Sequence, residues 1–327
     1  MATLIELADS GAGLAGAPHL ARRRPSWPMC YSYGSMGPFL RTTEAIYWRL
    51  RHPRQLAKRI LTDVRVRDRL IYNNVAALVE AHDEPGRSLT AAEFKVFSQN
   101  GEDGVLAEIF RRIGTTNRYF VEFGIGNGSE GNSVFLADVL GWSGLFIEGS
   151  PGHFTGLHRK YRDREAVATL SALVRPDNVN ALFRQSEVPE NFDLLSIDID
   201  GNDYWVWEAL EAFRPRVVVI EYNGLLKNNA CLVQPYDPDW AWDGTEFYGA
   251  SLGALRSLGR KKGYVLVHTE LSGTNAFLVQ ADLAAHFADI EPVAHRSLSH
   301  SLQGVGPRPS RTPRHYLVVD DVHEGTN

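Results

Sequence analysis

The residues able to do chemistry in this chain sit at the ends of apolar runs. Tyr119-Phe-Val-Glu122-Phe123 leads directly into Gly124-Ile-Gly126-Asn-Gly128-Ser129. Glycines after a buried strand permit positive φ and let a ligand approach the backbone, and the helix that follows offers unpaired N–H groups. That is the make-up of a nucleotide-type cofactor loop, although glycines also serve simply to build tight turns. Glu148 strengthens the first reading. It stands twenty residues beyond Gly128 at the end of the next apolar run, where a carboxylate can accept hydrogen bonds from both hydroxyls of a ribose.

More acids follow later runs, in Ser196-Ile-Asp198-Ile-Asp200-Gly-Asn202-Asp203 and Val219-Ile-Glu221-Tyr222-Asn223. Asp198, Asp200, Glu221 and Asn223 offer only hard oxygen ligands, which suit Mg²⁺, Mn²⁺ or Ca²⁺ and not zinc. A divalent ion held there would lower the pKa of a bound hydroxyl. Helix capping and turn formation at Gly201 account for one of the two aspartates, but the run holds more carboxylates than one cap requires. His268, after a later apolar run, has the pKa range of a general base and equally suits a structural role.

The elements that must position these groups are legible from periodicity. Short apolar runs at Tyr119–Phe123, 144–148, 166–170, 192–197, 216–220, 264–267 and 276–279 alternate with helical stretches. This pattern predicts an α/β protein with a Rossmann-like, seven-stranded, mostly parallel sheet covered by helices on both faces. Ahead of it, residues 1–40 read as an irregular arm and 41–96 as a helical segment. That segment carries Arg49, Arg51, Arg54, Lys58, Arg59, Arg65, Arg67 and Arg69, either a patch for an anionic partner or a solvated helix face. Residues 97–280 form the expected cofactor domain and 281–327 a C-terminal helix and tail, in which Pro307, Pro309 and Pro313 suggest a linker before Tyr316-Leu-Val-Val319. Ser98 or Asn100 is expected to cap the helix over 105–113. The long stretch 223–248 holds Tyr236, Trp240, Trp242, Phe247 and Tyr248 among Asp237, Asp239, Asp243 and Glu246. Such a loop suits a polyhydroxylated, partly apolar ligand, or merely packs onto the sheet.

Composition narrows the partners. A formal net charge of -5, with 44% hydrophobic and 22% charged residues in 327, favours neither nucleic acid nor an anionic membrane. No run is long and apolar enough for a membrane span, and Cys30 and Cys231 make neither a disulfide framework nor a zinc site. A cytoplasmic protein acting on a small molecule is expected, with the oligomeric state open and a homo-oligomer included.

The loop Glu122-Phe-Gly124-Ile-Gly126-Asn-Gly128 resembles motif I of class I S-adenosylmethionine-dependent methyltransferases, E/D-x-G-x-G-x-G. A dinucleotide fingerprint would place glycine where Ser129 stands. The acidic run at 198–203 is similar to that of FkbM-type and metal-dependent sugar O-methyltransferases, so the resemblance spans roughly residues 97–280. It implies S-adenosylmethionine as cofactor, held by Glu122, Gly124, Gly126, Gly128 and Glu148, with Gln99 and Asn100 touching it from the segment before the first strand. It implies Asp198 or His268 as proton acceptor, and Tyr222, Tyr236, Trp240 and Trp242 facing the substrate, a sugar or natural-product hydroxyl. Asn223 departs from the pattern, since those relatives carry a second carboxylate there, and this leaves the metal open. The competing readings are an NAD(P)-dependent oxidoreductase and a non-catalytic nucleotide-binding module.

Overall fold

The computed structural model describes residues 88–287, 307–310 and 312–320. The arm at 1–40, the basic stretch between Arg49 and Arg69, and Cys30 lie outside these residues, as does the 41–96 segment up to residue 87. Helices α1 (Leu89–Ala92) and α2 (Glu102–Ile113) lead into β1 (Tyr119–Phe123), α3 (Val134–Asp138), β2 (Ser143–Glu148), α4 (Pro151–Tyr161) and β3 (Val167–Ser171). Then come α5 (Val179–Gln185), β4 (Asn191–Ile197), α6 (Asp203–Ala209), β5 (Arg214–Glu221), β6 (Leu232–Val233), α7 (Leu252–Lys262), β7 (Tyr264–Thr269) and β8 (Asn275–Gln280). A 3₁₀ turn (Ala281–Phe287) and the short β9 (Leu317–Val318) complete the described elements.

The main sheet runs β3-β2-β1-β4-β5-β8-β7, parallel from β3 through β5, with β8 antiparallel to both of its neighbours. All seven expected strands are present, and the Rossmann-like reading holds. Successive strand residues point to opposite faces, and both faces are apolar because both are covered. Val121, Phe123, Ile147 and Ile197 pack against Phe183, Trp207 and Leu255 of α5, α6 and α7. Phe120, Phe146, Val217 and Val219 pack against Ile109, Phe135 and Leu157 of α2, α3 and α4. No helix among the described residues is long and apolar enough to cross a membrane.

Two expectations are corrected here. The 223–248 stretch is not all loop, because it contains β6. The Pro-rich segment is not a linker either: β9 pairs antiparallel with β6, and Arg308 exchanges backbone hydrogen bonds with Gly244 and Glu246. Tail and loop thus form one small two-stranded unit.

At the rim where β1 and β4 begin, the fully buried Asp193 accepts hydrogen bonds from the Thr116, Asn117 and Arg118 N–H groups and from Arg216 Nη1 at 2.9 Å. Burial alone would raise its pKa, but the Arg216 guanidinium and the Arg118 and Thr116 N–H groups outweigh it and hold the carboxyl below its ordinary range. With the folded pKa depressed, its contribution is present above the unfolded carboxylate range and is lost as pH falls through the folded value. Asp193→Ala is expected to cost about 2–4 kcal/mol in urea unfolding at pH 7, since it removes three N–H groups' acceptor and the counter-charge of the part-buried Arg216, which keeps only the Ile113 and Gly114 carbonyls. A loss below 1 kcal/mol would mean the cluster is not a fold determinant.

Candidate functional site

Strand order reverses between β1 and β4, so a crevice opens outside their carboxyl ends, where open α/β sheets bind ligands. The two ends are tied together by Asp198 N–H, which donates to Phe123 O at 3.3 Å, while Gly124 N–H donates to Ile147 O of β2 at 3.2 Å. Gly124 has φ +82°, and a Cβ there would overlap the Asp198 carbonyl, so neither the conformation nor the space accepts a side chain.

The other motif glycines do different work. Gly126, at φ +62°, donates its N–H to Glu148 Oε2 at 2.7 Å, while Ser150 N–H reaches Glu148 Oε1 at 2.6 Å. Gly128 does not line the cavity described next. A Cβ on it would press on Leu157 and Tyr161, and its carbonyl accepts from Lys160 Nζ at 2.6 Å, so it seats the loop on α4.

A cavity of about 290 Å³ lies over these strand ends, bounded by residues 124–127 and 129–132 of the loop together with Gln99, Glu122, His153, Asp198 and Asn275. Among the described residues its wall includes three carboxylates, Glu122, Glu130 and Asp198, and no Lys or Arg. Glu122 is buried and accepts from Asn132 N–H at 2.9 Å and Ser133 N–H at 2.7 Å, the residues that open α3. Burial pushes its pKa up to about 7. The N–H groups a pyrophosphate would require from that helix start are therefore already engaged by a carboxylate.

Beside the cavity, Asp198, Asp200 and Glu221 bring carboxylate oxygens within 4.8 Å of one another. Neither Asp198 nor Asp200 performs the capping considered above. Asp203, the first residue of α6, holds the turn before the helix instead, accepting from Ile199 and Gly201 N–H at 2.8 Å each, and no side chain caps α6. Burial, then the charges of neighbouring acids, raises Asp198 and Glu221 well above the ordinary carboxylate range. Glu221 Oε2 is buried without a hydrogen-bond partner, an orphaned acceptor of the kind a cation would satisfy.

Asn223, expected as a fourth ligand, is committed elsewhere. It is fully buried; its Nδ2 donates to Glu246 O, Tyr248 O and Tyr316 Oη at 2.9–3.2 Å, and its Oδ1 accepts from Leu225 N–H. It holds the loop to the tail. Arg314 of the tail adds an ion pair to Asp243 at 2.6 Å and lies over the rings of Trp240 and Phe247.

The remaining expected residues separate. Tyr222 is 1% exposed, sits within the core and shares a hydrogen bond with Thr269, so it faces no ligand space. Trp240 Nε1 donates to Asp200 O at 2.8 Å, while Tyr236 and Trp242 are exposed on the same loop. Gln99 lines the cavity, but Asn100 does not: its Nδ2 donates to Glu102 Oε1. Asn100 caps nothing either, because α2 begins after Gly101 and the Glu102 and Asp103 carboxylates satisfy the N–H groups of residues 96–98, 100 and 101. Ser98 Oγ does accept from Asp103 N–H at 3.2 Å. His268 is outside the cavity, 2% exposed and paired through Nε2 with Glu93 at 3.0 Å. Asn275 was not foreseen; one amide at the start of an apolar run carries no local signal.

No protein-family model matches the chain, and no curated protein matches it. Among solved structures it is similar to the N-terminal domain of EvdMO1 with SAH bound, at 13% identity over 54% of this chain and 79% of that one, with a TM-score of 0.37. It is similar to an O-methyltransferase from Bacillus cereus in complex with SAH, at 19% identity over 47% and 66%, with a TM-score of 0.31. A third is the O-methyltransferase NcsB1 from neocarzinostatin biosynthesis, at 12% identity over 50% and 49%, with a TM-score of 0.32. At such identities and scores, what the chain does has to be read from its own cavity.

Proposed function

We propose that the chain is an S-adenosylmethionine-dependent methyltransferase acting on a hydroxyl of a small molecule, with residues 97–280 as its cofactor domain. The observation that carries this reading is the character of the cavity wall. Among the described residues, three carboxyl groups, His153 and no Lys or Arg face a crevice at the strand reversal, and Glu122 already occupies the start of α3. Such a wall offers acceptors to a ligand that carries N–H and O–H donors and, among the described residues, holds no Lys or Arg for the anionic pyrophosphate of a dinucleotide.

The residues present fit the cofactor. Glu148 does not itself line the cavity but is bonded to Gly126, which does; a carboxylate offers about four acceptor sites, and Glu148 uses two of them on Gly126 and Ser150, which would leave two for ribose hydroxyls. Gly124 and Gly126 bring bare backbone to the cavity floor. When bound, the cofactor supplies an electrophilic methyl group on a positively charged sulfur.

The chain's own part is to hold the acceptor oxygen in line, to exclude water and to take up its proton. Asp198, at the cavity wall and raised in basicity by burial and by its acidic neighbours, is the proposed proton acceptor. Asp198, Asp200 and Glu221 would hold a divalent ion, whose contribution would be to acidify the acceptor hydroxyl. The exposed rings of Tyr236 and Trp242, with Trp240, suit the apolar faces of a sugar or a related natural product.

Calorimetric titration with S-adenosylhomocysteine and with NAD⁺, each with and without Mg²⁺, tests the reading. Saturable binding of the first and none of the second is expected, and binding of NAD⁺ alone would overturn it. A non-catalytic module would bind S-adenosylhomocysteine yet give no methyl transfer from S-adenosylmethionine across a panel of sugar and phenol acceptors.

A further inference from the structure

Asn275 opens β8 directly across from Glu221 of β5, is 2% exposed and lines the cavity. Its Nδ2 donates to Glu102 Oε1 at 2.9 Å. A carboxylate such as Glu102 also accepts the Asn100 and Gly101 N–H groups and presents acceptors toward them, so the amide orientation is set: nitrogen toward Glu102, oxygen away from it. That oxygen, Asn275 Oδ1, is buried and has no hydrogen-bond partner among the described residues. A buried, unpartnered acceptor is costly, and a bound donor would recover the loss.

Resting on the methyltransferase reading above, we propose that Asn275 is a cofactor-contacting residue whose Oδ1 accepts a hydrogen bond from the α-ammonium group at the amino-acid end of S-adenosylmethionine. Oδ1 accepts and cannot donate, so of the charged groups at that end only the ammonium can use it. The neighbouring wall agrees, since the Glu122 and Asp198 carboxyls and the Gln99 amide offer further polar acceptors, which suit a charged donor better than a flat purine seeking apolar faces. Glu102 is then a positioning residue, turning the Asn275 amide and tying it to the 99–101 turn, whose Gln99 also borders the cavity.

The test compares two ligands on two proteins. S-adenosylhomocysteine carries the ammonium, and 5′-methylthioadenosine lacks the whole amino-acid end. Asn275→Ala is expected to weaken S-adenosylhomocysteine binding by about ten- to a hundredfold, the range of one hydrogen bond to a charged group, and to leave 5′-methylthioadenosine binding within twofold. Equal weakening of both ligands, or of neither, overturns the proposal. If the melting curve shows Asn275→Ala misfolded, Asn275→Ser, which keeps a small polar group facing Glu102, carries the same comparison. Failure of the wild-type protein to bind S-adenosylhomocysteine would sink the methyltransferase reading itself, a result distinct from selective failure at Asn275.

Discussion

Gly124→Ala is expected to abolish measurable S-adenosylhomocysteine binding and to lower the melting temperature sharply. The added methyl group has two separate costs. An alanine held in the left-handed region at φ +82° costs roughly 1–2 kcal/mol. The larger cost is steric, because the Cβ would overlap the Asp198 carbonyl, and that carbonyl belongs to backbone fixed by the hydrogen bond from Asp198 N–H to Phe123 O. Relief requires β1 and β4 to part at the crevice they form. Gly141→Ala is the matched control. Gly141 is also left-handed, at φ +67°, but nothing lies within 4 Å of its added methyl, so it should show the conformational cost alone and bind normally. If calorimetry finds Gly124→Ala binding within twofold of wild type, the crevice is not the cofactor site.

Asp198→Asn separates chemistry from binding. Loss of the proposed proton acceptor should reduce methyl transfer by about 10²- to 10⁴-fold, with S-adenosylhomocysteine affinity falling no more than about tenfold. The same variant should be more stable than wild type in chelator at pH 8. Burial and mutual repulsion raise the folded-state pKa values of Asp198 and Glu221 above their unfolded values. The stability tied to those protons is therefore fully present below the unfolded carboxylate range and is lost as pH rises through the raised folded values. Neutralising Asp198 removes part of that loss, and the melting temperature gained on adding Mg²⁺ to wild type should disappear with it. Unchanged turnover in Asp198→Asn would reassign the proton acceptor, and a retained Mg²⁺ response would remove Asp198 from the metal set.

The strands were legible because each is a short apolar run, and the site's location followed because its acids stand at the ends of those runs. What periodicity did not convey was which polar groups the fold keeps for itself. Glu122 and Asp203 spend their oxygens on nearby backbone N–H groups, and Asn223 spends its amide on a loop and on a tyrosine far along the chain. Each looks the same in sequence as a ligand-binding side chain. The tail was misread for a related reason. Its Pro, Arg and Ser content matches a linker, while what holds it, the β9 and Arg308 backbone and the Arg314 and Tyr316 side chains, finds its partners in another segment. Asn275 shows the reverse case, a single amide within an apolar run whose significance comes from the orphaned oxygen and the cavity beside it.

Asn223 and Tyr316, joined through the amide and the phenol oxygen, are 93 residues apart. At about 5–20 residues per second of ribosomal synthesis, the asparagine waits roughly 5–20 s before its tyrosine exists. The glycine loop, Glu148 and Asp198 all come earlier in the chain than Asn223. The half of the crevice proposed for the cofactor is thus translated well before the aromatic loop can be clasped, and the proposed acceptor side would be the last part of the site to be completed during synthesis.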